Sequence, residues 1–125
     1  MSSYEIAILR ILQREGFAVE REKSFKDLKH GLYRFDFYLP ARGAVIEVDG
    51  EYHFKPIRGR QALLKQQEHD RRKNSYCLAH QIPLYRIPYW DLARIKHSSE
   101  IFSEKYRVND AWWNDNLWRE YRKKL

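Results

Sequence analysis

Cysteine, glycine and proline are all scarce in this chain of 125 residues, and each scarcity excludes a class of protein. The one cysteine, Cys77, has no partner for an internal disulfide or a thiolate-bound metal cluster, which is typical of a reducing cytoplasm. Five glycines and four prolines are too dispersed to form a linker between domains. Apolar runs stop at about five residues, so neither a membrane span nor a signal peptide is expected. A single domain with one core is predicted.

Acidic residues are the minority charge, with 17 Asp and Glu against 24 Lys and Arg, which gives a net charge of +7. Phosphate contacts come mainly from Lys and Arg, so this surplus indicates a nucleic acid partner. Charge alone does not separate a binding protein from an enzyme. The hydrophobic fraction of 43% is enough to bury a core. The placement of the acidic residues is therefore more informative than their number.

Hydrophobic periodicity predicts an α/β fold with a mixed sheet. Pro40 and Gly43 predict the turn of a hairpin between two strands. We expect one domain over residues 1–125, with its core in 1–95 and a helical, Trp-rich and basic extension in 96–125. The predicted helices are Ser3–Glu15, Gln61–His80, Trp90–Lys105 and Ala111–Lys124, and the predicted strands are Leu32–Leu39, Ala44–Val48 and Leu84–Ile87, preceded by extended structure from Phe17–Val19.

Three carboxylates fall on the predicted hairpin. Asp36 lies in the middle of one strand, and Glu47 and Asp49 project from one face of the next. Such a cluster is costly unless cations compensate it, and oxygen ligands of this kind suit Mg²⁺. The sequence therefore predicts a metal site. The alternative is that some of these residues face solvent or pair with Arg34 or Lys73.

A histidine and a helical pair extend this constellation. His53 follows Asp49 by four residues and could take a proton from a metal-bound water, although a structural loop histidine is the commoner case. Asp70 and Lys73 share one helix face, so Asp70 could orient a ligand or base and Lys73 could stabilise phosphate charge. The alternative for this pair is a solvated ion pair.

The succession YRFDFYLP, AVIEVDGEYHF and QEHDRRKNSYCLAHQIPLYRIPYWDL resembles the PD-(D/E)xK nuclease superfamily, over roughly Ser3 to Leu92. Within that superfamily it most resembles the very-short-patch-repair-like and EDxHD homing-endonuclease branch, which is common in phages and bacteria. The resemblance implies a restriction-endonuclease-like core, with a central sheet of about four strands flanked by helices. It also implies Mg²⁺ as cofactor, with Mn²⁺ as a substitute, and a bacterial or phage-infected cytoplasm.

The resemblance also implies roles for individual positions. The metal-binding positions are Glu5, Asp36, Glu47 and the carbonyl of Val48, and the other catalytic positions are Asp49, His53, Asp70 and Lys73. The departure is Asp49, where most of the superfamily has lysine. A carboxylate cannot stabilise phosphate charge, so a second metal, His53 or Lys73 must do so, and the number of metals stays open.

Basic residues predicted to contact DNA follow the acidic elements and continue to the C-terminal segment: Arg58, Arg60, Lys65, Arg71, Arg72, Arg119, Arg122 and Lys123. Trp113, Leu117 and Tyr121 share a helical face and are expected to pack on the core, with base stacking as the alternative. Cys77 is expected to be a core thiol rather than a nucleophile.

The leading functional prediction is a metal-dependent DNA endonuclease, either a homing or nicking enzyme or a structure-specific one. The alternative is a catalytically silent DNA-binding accessory protein of the same fold. RNA stays open as a substrate. Superfamily members often dimerise to cut both strands, so a homodimer is a further expectation of the resemblance.

Overall fold

The computed structural model describes residues 1–111, 119–121 and 123–124. The described helices are α1 (Ser3–Arg14), α2 (Arg60–Ala79) and the single turn α3 (Ser98–Ile101), and the strands are β1 (Glu20–Ser24), β2 (Arg34–Leu39), β3 (Ala44–Asp49) and β4 (Leu84–Pro88). Short 3₁₀ segments lie at Lys29–Gly31, Glu51–His53 and Tyr89–Arg94. None of the helices in these residues is long and apolar enough to cross a bilayer.

The strands form one open sheet in the order β1-β2-β3-β4. The first three are antiparallel neighbours, and β4 runs parallel to β3. A parallel neighbour requires a crossover connection, which α2 supplies. The predicted α/β class with a mixed sheet is confirmed, as is the hairpin between β2 and β3.

Burial explains why the sheet is arranged around β3. Its six residues are all buried, as expected for a strand covered on both faces. In β2 the residues Phe35, Phe37 and Leu39 are buried, whereas the alternate positions are partly exposed. One face of β2 therefore belongs to the core, and the other carries Asp36 toward the surface.

The first helix is fixed at both ends by local chemistry. Ser2 accepts a hydrogen bond from the Glu5 N–H, and the Glu5 side chain accepts one from the Ser2 N–H, which makes a capping box. Gly16 follows the helix with φ of +87°, a conformation that favours glycine. Ile8 and Leu12 are buried against the sheet side of the core. The capping box also holds Glu5 in place, which matters for the site below.

Hydrophobic periodicity did not predict the bounds of the polar edge strand β1. Its sequence EREKS has no apolar residue, and four of its five positions are exposed. Glu22 has φ of +58°, so the strand is irregular at its centre. Charged residues on an edge strand hinder pairing with other chains, which explains the composition. A strand of this kind carries no alternating hydrophobic pattern from which to predict it.

The helix predicted over Trp90–Lys105 is wrong. The chain forms a 3₁₀ segment and the turn α3, separated by extended backbone at Ile95 and His97. The break is held by the end of α1, because Arg14 donates to the Lys96 carbonyl and Glu15 accepts from the N–H and hydroxyl of Ser98. These long-range hydrogen bonds outweigh local helix propensity.

The segment after residue 95 joins the core rather than standing apart from it. Val108 donates its N–H to the Leu84 carbonyl at 2.9 Å, and Tyr106 and Val108 are buried. Tyr121 is also buried and donates to the Phe54 carbonyl at 3.1 Å, which confirms its predicted packing role. Residues 119–121 and 123 are helical. Trp113, Leu117 and Arg122 lie outside the described residues.

The core position of Cys77 leads to a simple chemical prediction. The side chain is 1% exposed, and burial raises the pKa of its thiol to about 12. Because the thiolate is the reactive form, a disulfide reagent at pH 8 should modify the folded protein far more slowly than the unfolded one. Thiol titration with and without concentrated guanidinium chloride measures this, with Cys77→Ala as the blank. Complete reaction of the folded protein within the mixing time would contradict it.

Candidate active site

Two carboxylates accept backbone hydrogen bonds where the β2–β3 ladder stops. The last paired residues at this end are Phe37 and Ile46. Beyond them, the Asp36 N–H donates to Glu47 Oε1 at 2.8 Å, and the Val48 N–H donates to Asp36 Oδ2 at 2.7 Å. Each carboxylate therefore satisfies a backbone N–H of the opposite strand. The predicted neighbourhood of Asp36 and Glu47 is confirmed.

Negative charge is concentrated at this point. Burial and the Glu47 carboxylate raise the pKa of Asp36 to about 9, and the Glu5 carboxylate adds to the effect. The residue predicted from the first helix thus lies close enough to Asp36 to interact with it. A cluster of this kind is unfavourable for stability by itself, which is common at functional sites.

Lys73 supplies a positive charge to the same place. Its Nζ lies 3.2 Å from Glu47 Oε2 and donates to the Arg34 carbonyl at 2.6 Å. The ammonium also lies 5.2 Å from the centroid of the Phe35 ring. Lys73 is therefore not part of a solvated pair with Asp70. It is an ammonium from α2 that pairs with Glu47, as the alternative interpretation of the carboxylates expected.

Asp70, three residues earlier on α2, holds His53. The distance from His53 Nδ1 to Asp70 Oδ2 is 2.8 Å, and Gln66 donates to the other Asp70 oxygen at 3.1 Å. Burial opposes ionisation of both partners. For Asp70, the Arg86 guanidinium and the His53 hydrogen bond outweigh burial and lower its pKa to about 2. For His53, Asp49 and Asp70 outweigh burial and raise its pKa.

Asp49, the third predicted carboxylate, still interacts electrostatically with Glu47, but its hydrogen-bond partner is Arg86 rather than a member of the cleft. Both of its oxygens accept from Arg86 Nη1, at 2.9 and 3.0 Å, and Oδ1 lies 3.6 Å from His53 Nδ1. The physical reason is the parallel neighbour β4, which sets Arg86 opposite Glu47 in register and within reach of Asp49. Buried Asp49 needs a counter-charge, and the Arg86 guanidinium is the cation within reach.

Arg86 is the main residue that sequence reasoning missed. It is 1% exposed and contacts Asp49, the Asn74 side chain at 2.8 Å, and both the carbonyl and carboxylate of Asp70. Burial disfavours its charge, but Asp49 and Asp70 more than compensate and raise the pKa of Arg86 above its usual value. The sequence feature that could have identified it is a single arginine within an otherwise apolar strand, LYRIP.

These groups surround a cleft of about 510 Å³. It brings together the predicted residues Asp36, Glu47, His53, Lys65 and Lys73. Asp49 and Asp70 contact His53 without lining the cleft, and neither Glu5 nor Val48 lines it. The other lining residues were not predicted as site residues: Leu32, Tyr33, Arg34, Tyr52, Gln66 and His69. For Leu32 and Arg34, the available sign was that they share a strand face with Asp36.

The predicted DNA-binding residues are not equivalent. Arg71 and Arg72 both pair with Glu68, so part of their charge is already compensated. The Arg58 guanidinium lies 5.0 Å from the Tyr52 ring centroid, at the border of the cleft. Arg60, Arg119 and Lys123 are exposed, and Arg122 lies outside the described residues. Lys65 is the predicted one that lines the cleft itself.

The donor set was tested for its fit to a metal. Among the described residues, no group of three or more His, Cys, Asp or Glu side chains is arranged to hold an ion. Mg²⁺, however, is commonly held by one or two carboxylates together with waters and substrate phosphates. The Asp36–Glu47 pair has this composition, and a cation would relieve the repulsion that raises the pKa of Asp36. The residues therefore fit a hard divalent ion that binds jointly with a phosphate.

Comparison with models of protein families, with curated proteins and with solved structures gave no match.

Arg86 should be essential for stability because it compensates buried carboxylates. We expect Arg86→Met to lower the free energy of unfolding by about 3–5 kcal/mol, since Asp49 then loses its counter-charge. The exposed Arg60→Met should change it by less than about 0.5 kcal/mol. Denaturant unfolding followed by circular dichroism measures both.

The double variant Asp49→Asn/Arg86→Met should lose less than the sum of its single changes, because the two residues act as a pair. Equal stability of Arg86→Met and Arg60→Met would show that the ion pair does not support the fold.

Proposed function

We propose that this protein is a metal-dependent DNA endonuclease of the PD-(D/E)xK type, with a restriction-endonuclease-like core. The observation that carries the proposal is the meeting of Asp36, Glu47 and Lys73 at one cleft, where Glu47 accepts from the Asp36 N–H at 2.8 Å and lies 3.2 Å from the Lys73 ammonium. Two carboxylates and an ammonium at one cleft match the charges of a phosphodiester and its cation. The adjacent His53–Asp70 pair offers a base.

Asp36 and Glu47 would hold the cation, with Glu5 as a further negative charge beside them. When bound, Mg²⁺ lowers the pKa of a coordinated water and offsets charge on the phosphate that is being attacked. The two side chains are held rigidly, because each also accepts a backbone N–H from the other strand. This fixed placement favours the binding of a cation, which would compete with Lys73 for the second Glu47 oxygen.

Lys73 replaces the lysine that most of the superfamily has at the position of Asp49. Its ammonium lies against Glu47 and is only 12% exposed, so its field acts in a partly desolvated place. The ammonium would stabilise the negative charge on the non-bridging oxygens of a phosphate bound in the cleft. The departure at Asp49 therefore leaves the positive charge in the site, supplied from a helix instead of a strand.

His53 has the tautomer that a base requires. Asp70 is ionised, so it accepts the Nδ1 proton of His53, and the neutral ring then has its lone pair at Nε2. That nitrogen can take the proton of the attacking water. Lys65 and Arg34 line the same cleft and can hold neighbouring phosphates. One such site cuts one strand, so a homodimer for double-strand cleavage is part of the proposal.

The carboxylates should be needed for catalysis and not for folding. Asp36→Asn and Glu47→Gln keep an acceptor oxygen for the backbone N–H but cannot ionise to bind a cation. We expect each to lower Mg²⁺-dependent nicking of supercoiled plasmid by at least about 100-fold, with an unchanged or higher melting temperature for Asp36→Asn and a folded but less stable Glu47→Gln, because Lys73 loses its counter-charge. Glu20→Gln, on the exposed edge strand, is the matched control.

Full activity in either variant would overturn the assignment of these residues. DNA binding by the wild-type protein without nicking in Mg²⁺ or Mn²⁺ would favour the catalytically silent accessory protein instead. Nicking that persists in EDTA would overturn the metal requirement.

His53 should make cleavage depend on pH. Its base form is neutral, and its pKa is raised, so the rate should rise with pH through a midpoint above about 6.5. His53→Gln should lower the rate by about 10²- to 10⁴-fold and abolish this dependence. Asp70→Asn should shift the midpoint downward, because it removes a negative charge beside the ring. The control is His80→Gln, which lies at the far end of α2 and should keep the wild-type pH profile. A wild-type pH profile in His53→Gln would exclude His53 as the base.

A further inference from the structure

Aromatic rings line part of the cleft that the proposed chemistry does not use. The rings of Tyr33 and His69 lie 4.7 Å apart between centroids, with their planes 37° from parallel. A third ring, Tyr52, lies 4.4 Å from the ring of His53. All of these residues border the same cleft as Asp36 and Glu47. The site therefore offers flat apolar surface immediately beside its carboxylates.

The Tyr33 ring is positioned by an unusual turn. Lys29, His30 and Gly31 have φ of +47°, +53° and +79°, and this left-handed run leads directly into Leu32 and Tyr33. Non-glycine residues adopt such a conformation at a cost, so something must compensate it. Leu32 beside it is 77% exposed and also borders the cleft. The turn thus lies between buried Leu28 and the core-packed Tyr33, and it leaves Leu32 outside the core.

His69 alternates with cations along α2. Lys65, His69 and Lys73 are spaced by four residues and line the cleft together. Burial, Lys65 and Lys73 lower the pKa of His69, so its ring is neutral at pH 7. A stripe of ammonium, flat ring and ammonium has the alternation that a single strand presents, in which charged phosphates flank a base.

Two interpretations of the Tyr33–His69 pair are possible. The simpler one is that the rings merely pack the turn against α2. Tyr33 does pack against the core and interacts with Arg72, but Tyr33 and His69 both remain partly exposed and face a cleft large enough for a nucleotide-sized ligand. The cleft is lined by three cationic residues, Arg34, Lys65 and Lys73, and two acidic ones, Asp36 and Glu47, which suits an anion that binds together with a cation.

We propose that Tyr33 and His69 form a stacking platform for a nucleobase that is unpaired from its complement, next to the phosphate that is cut. In an intact duplex both faces of an internal base are covered by its neighbours, so such a base can lie on a protein ring only after it leaves the stack. The preferred substrate is then single-stranded, frayed or flapped DNA. This inference rests on the proposed nuclease function and adds the substrate class.

The test measures stacking without cleavage. A short single-stranded DNA with 2-aminopurine at successive positions is added to the Asp36→Asn protein, and the probe's fluorescence and the affinity are recorded. Stacking on a ring should quench the probe at one position. Tyr33→Ala in the same background should abolish this quenching and weaken single-strand binding by about 10- to 100-fold. Tyr33→Phe, which keeps the ring, should restore both.

Duplex DNA and an unrelated ring are the controls. Affinity for a blunt duplex, held by its phosphates, should change less than about twofold in Tyr33→Ala. Tyr38→Ala removes a tyrosine from β2 that does not line the cleft, and it should leave single-strand binding unchanged. Melting temperatures verify that each variant is folded.

The outcomes separate the platform from the nuclease function. Equal weakening of single-strand and duplex binding by Tyr33→Ala, or an unquenched probe at every position, would overturn the platform. Faster cleavage of intact duplex than of flapped DNA by the wild-type protein would overturn it as well, while nuclease activity stands. Quenching that depends on Tyr33, in a protein that cuts no DNA with any metal, would support the platform and overturn the nuclease function.

Discussion

The site depends on one buried guanidinium. Arg86 lies in β4, contacts Asp49 at the end of β3, and reaches Asp70 and Asn74 on α2. Without it, two ionised carboxylates would share a buried space, and at least one would take up a proton. With it, Asp70 stays ionised and can orient His53. The ion pair therefore determines the protonation of groups that it does not itself expose to the cleft.

The same interaction explains why position 49 is acidic. A lysine there would lie close to Arg86, and the two cations would repel each other. The aspartate is compensated by Arg86, while the ammonium beside Glu47 comes from Lys73 on α2.

Much of the fold could be predicted from the sequence, because its cause is local. The alternation around Phe35 and Phe37 and the apolar run at Val45 predict a hairpin and its faces, and the structure confirms both. The pairing of Asp36 with Glu47 follows from that register. Extended structure from Phe17–Val19 was predicted, but the bounds of the polar edge strand were not, because it has no hydrophobic pattern. The helix predicted after Trp90 was wrong because Glu15 and Arg14 interrupt it from a distant part of the chain.

Contacts of the site that cross between elements were the hardest to predict. Which partner Asp49 would take depended on the position of β4, and strand order across a helical crossover is not written in local periodicity. Arg86, Tyr33 and His69 were therefore not predicted as site residues, because nothing in their local sequence shows which elements they contact. Lys73 and Asp70 were found because helical spacing alone turns them toward one place.

The long helix α2 is attached in an unusual way. Its buried residues are Asn74 and Cys77, and polar partners such as Asp70 and Lys73 make most of the contacts described above. Lifting a helix normally exposes a broad apolar stripe, and that cost is small here. The helix is held instead by directional contacts of buried groups, from Arg86 to Asn74 and Asp70 and from Lys73 to Glu47. One wall of the cleft is therefore positioned by charge and hydrogen-bond geometry rather than by side-chain volume.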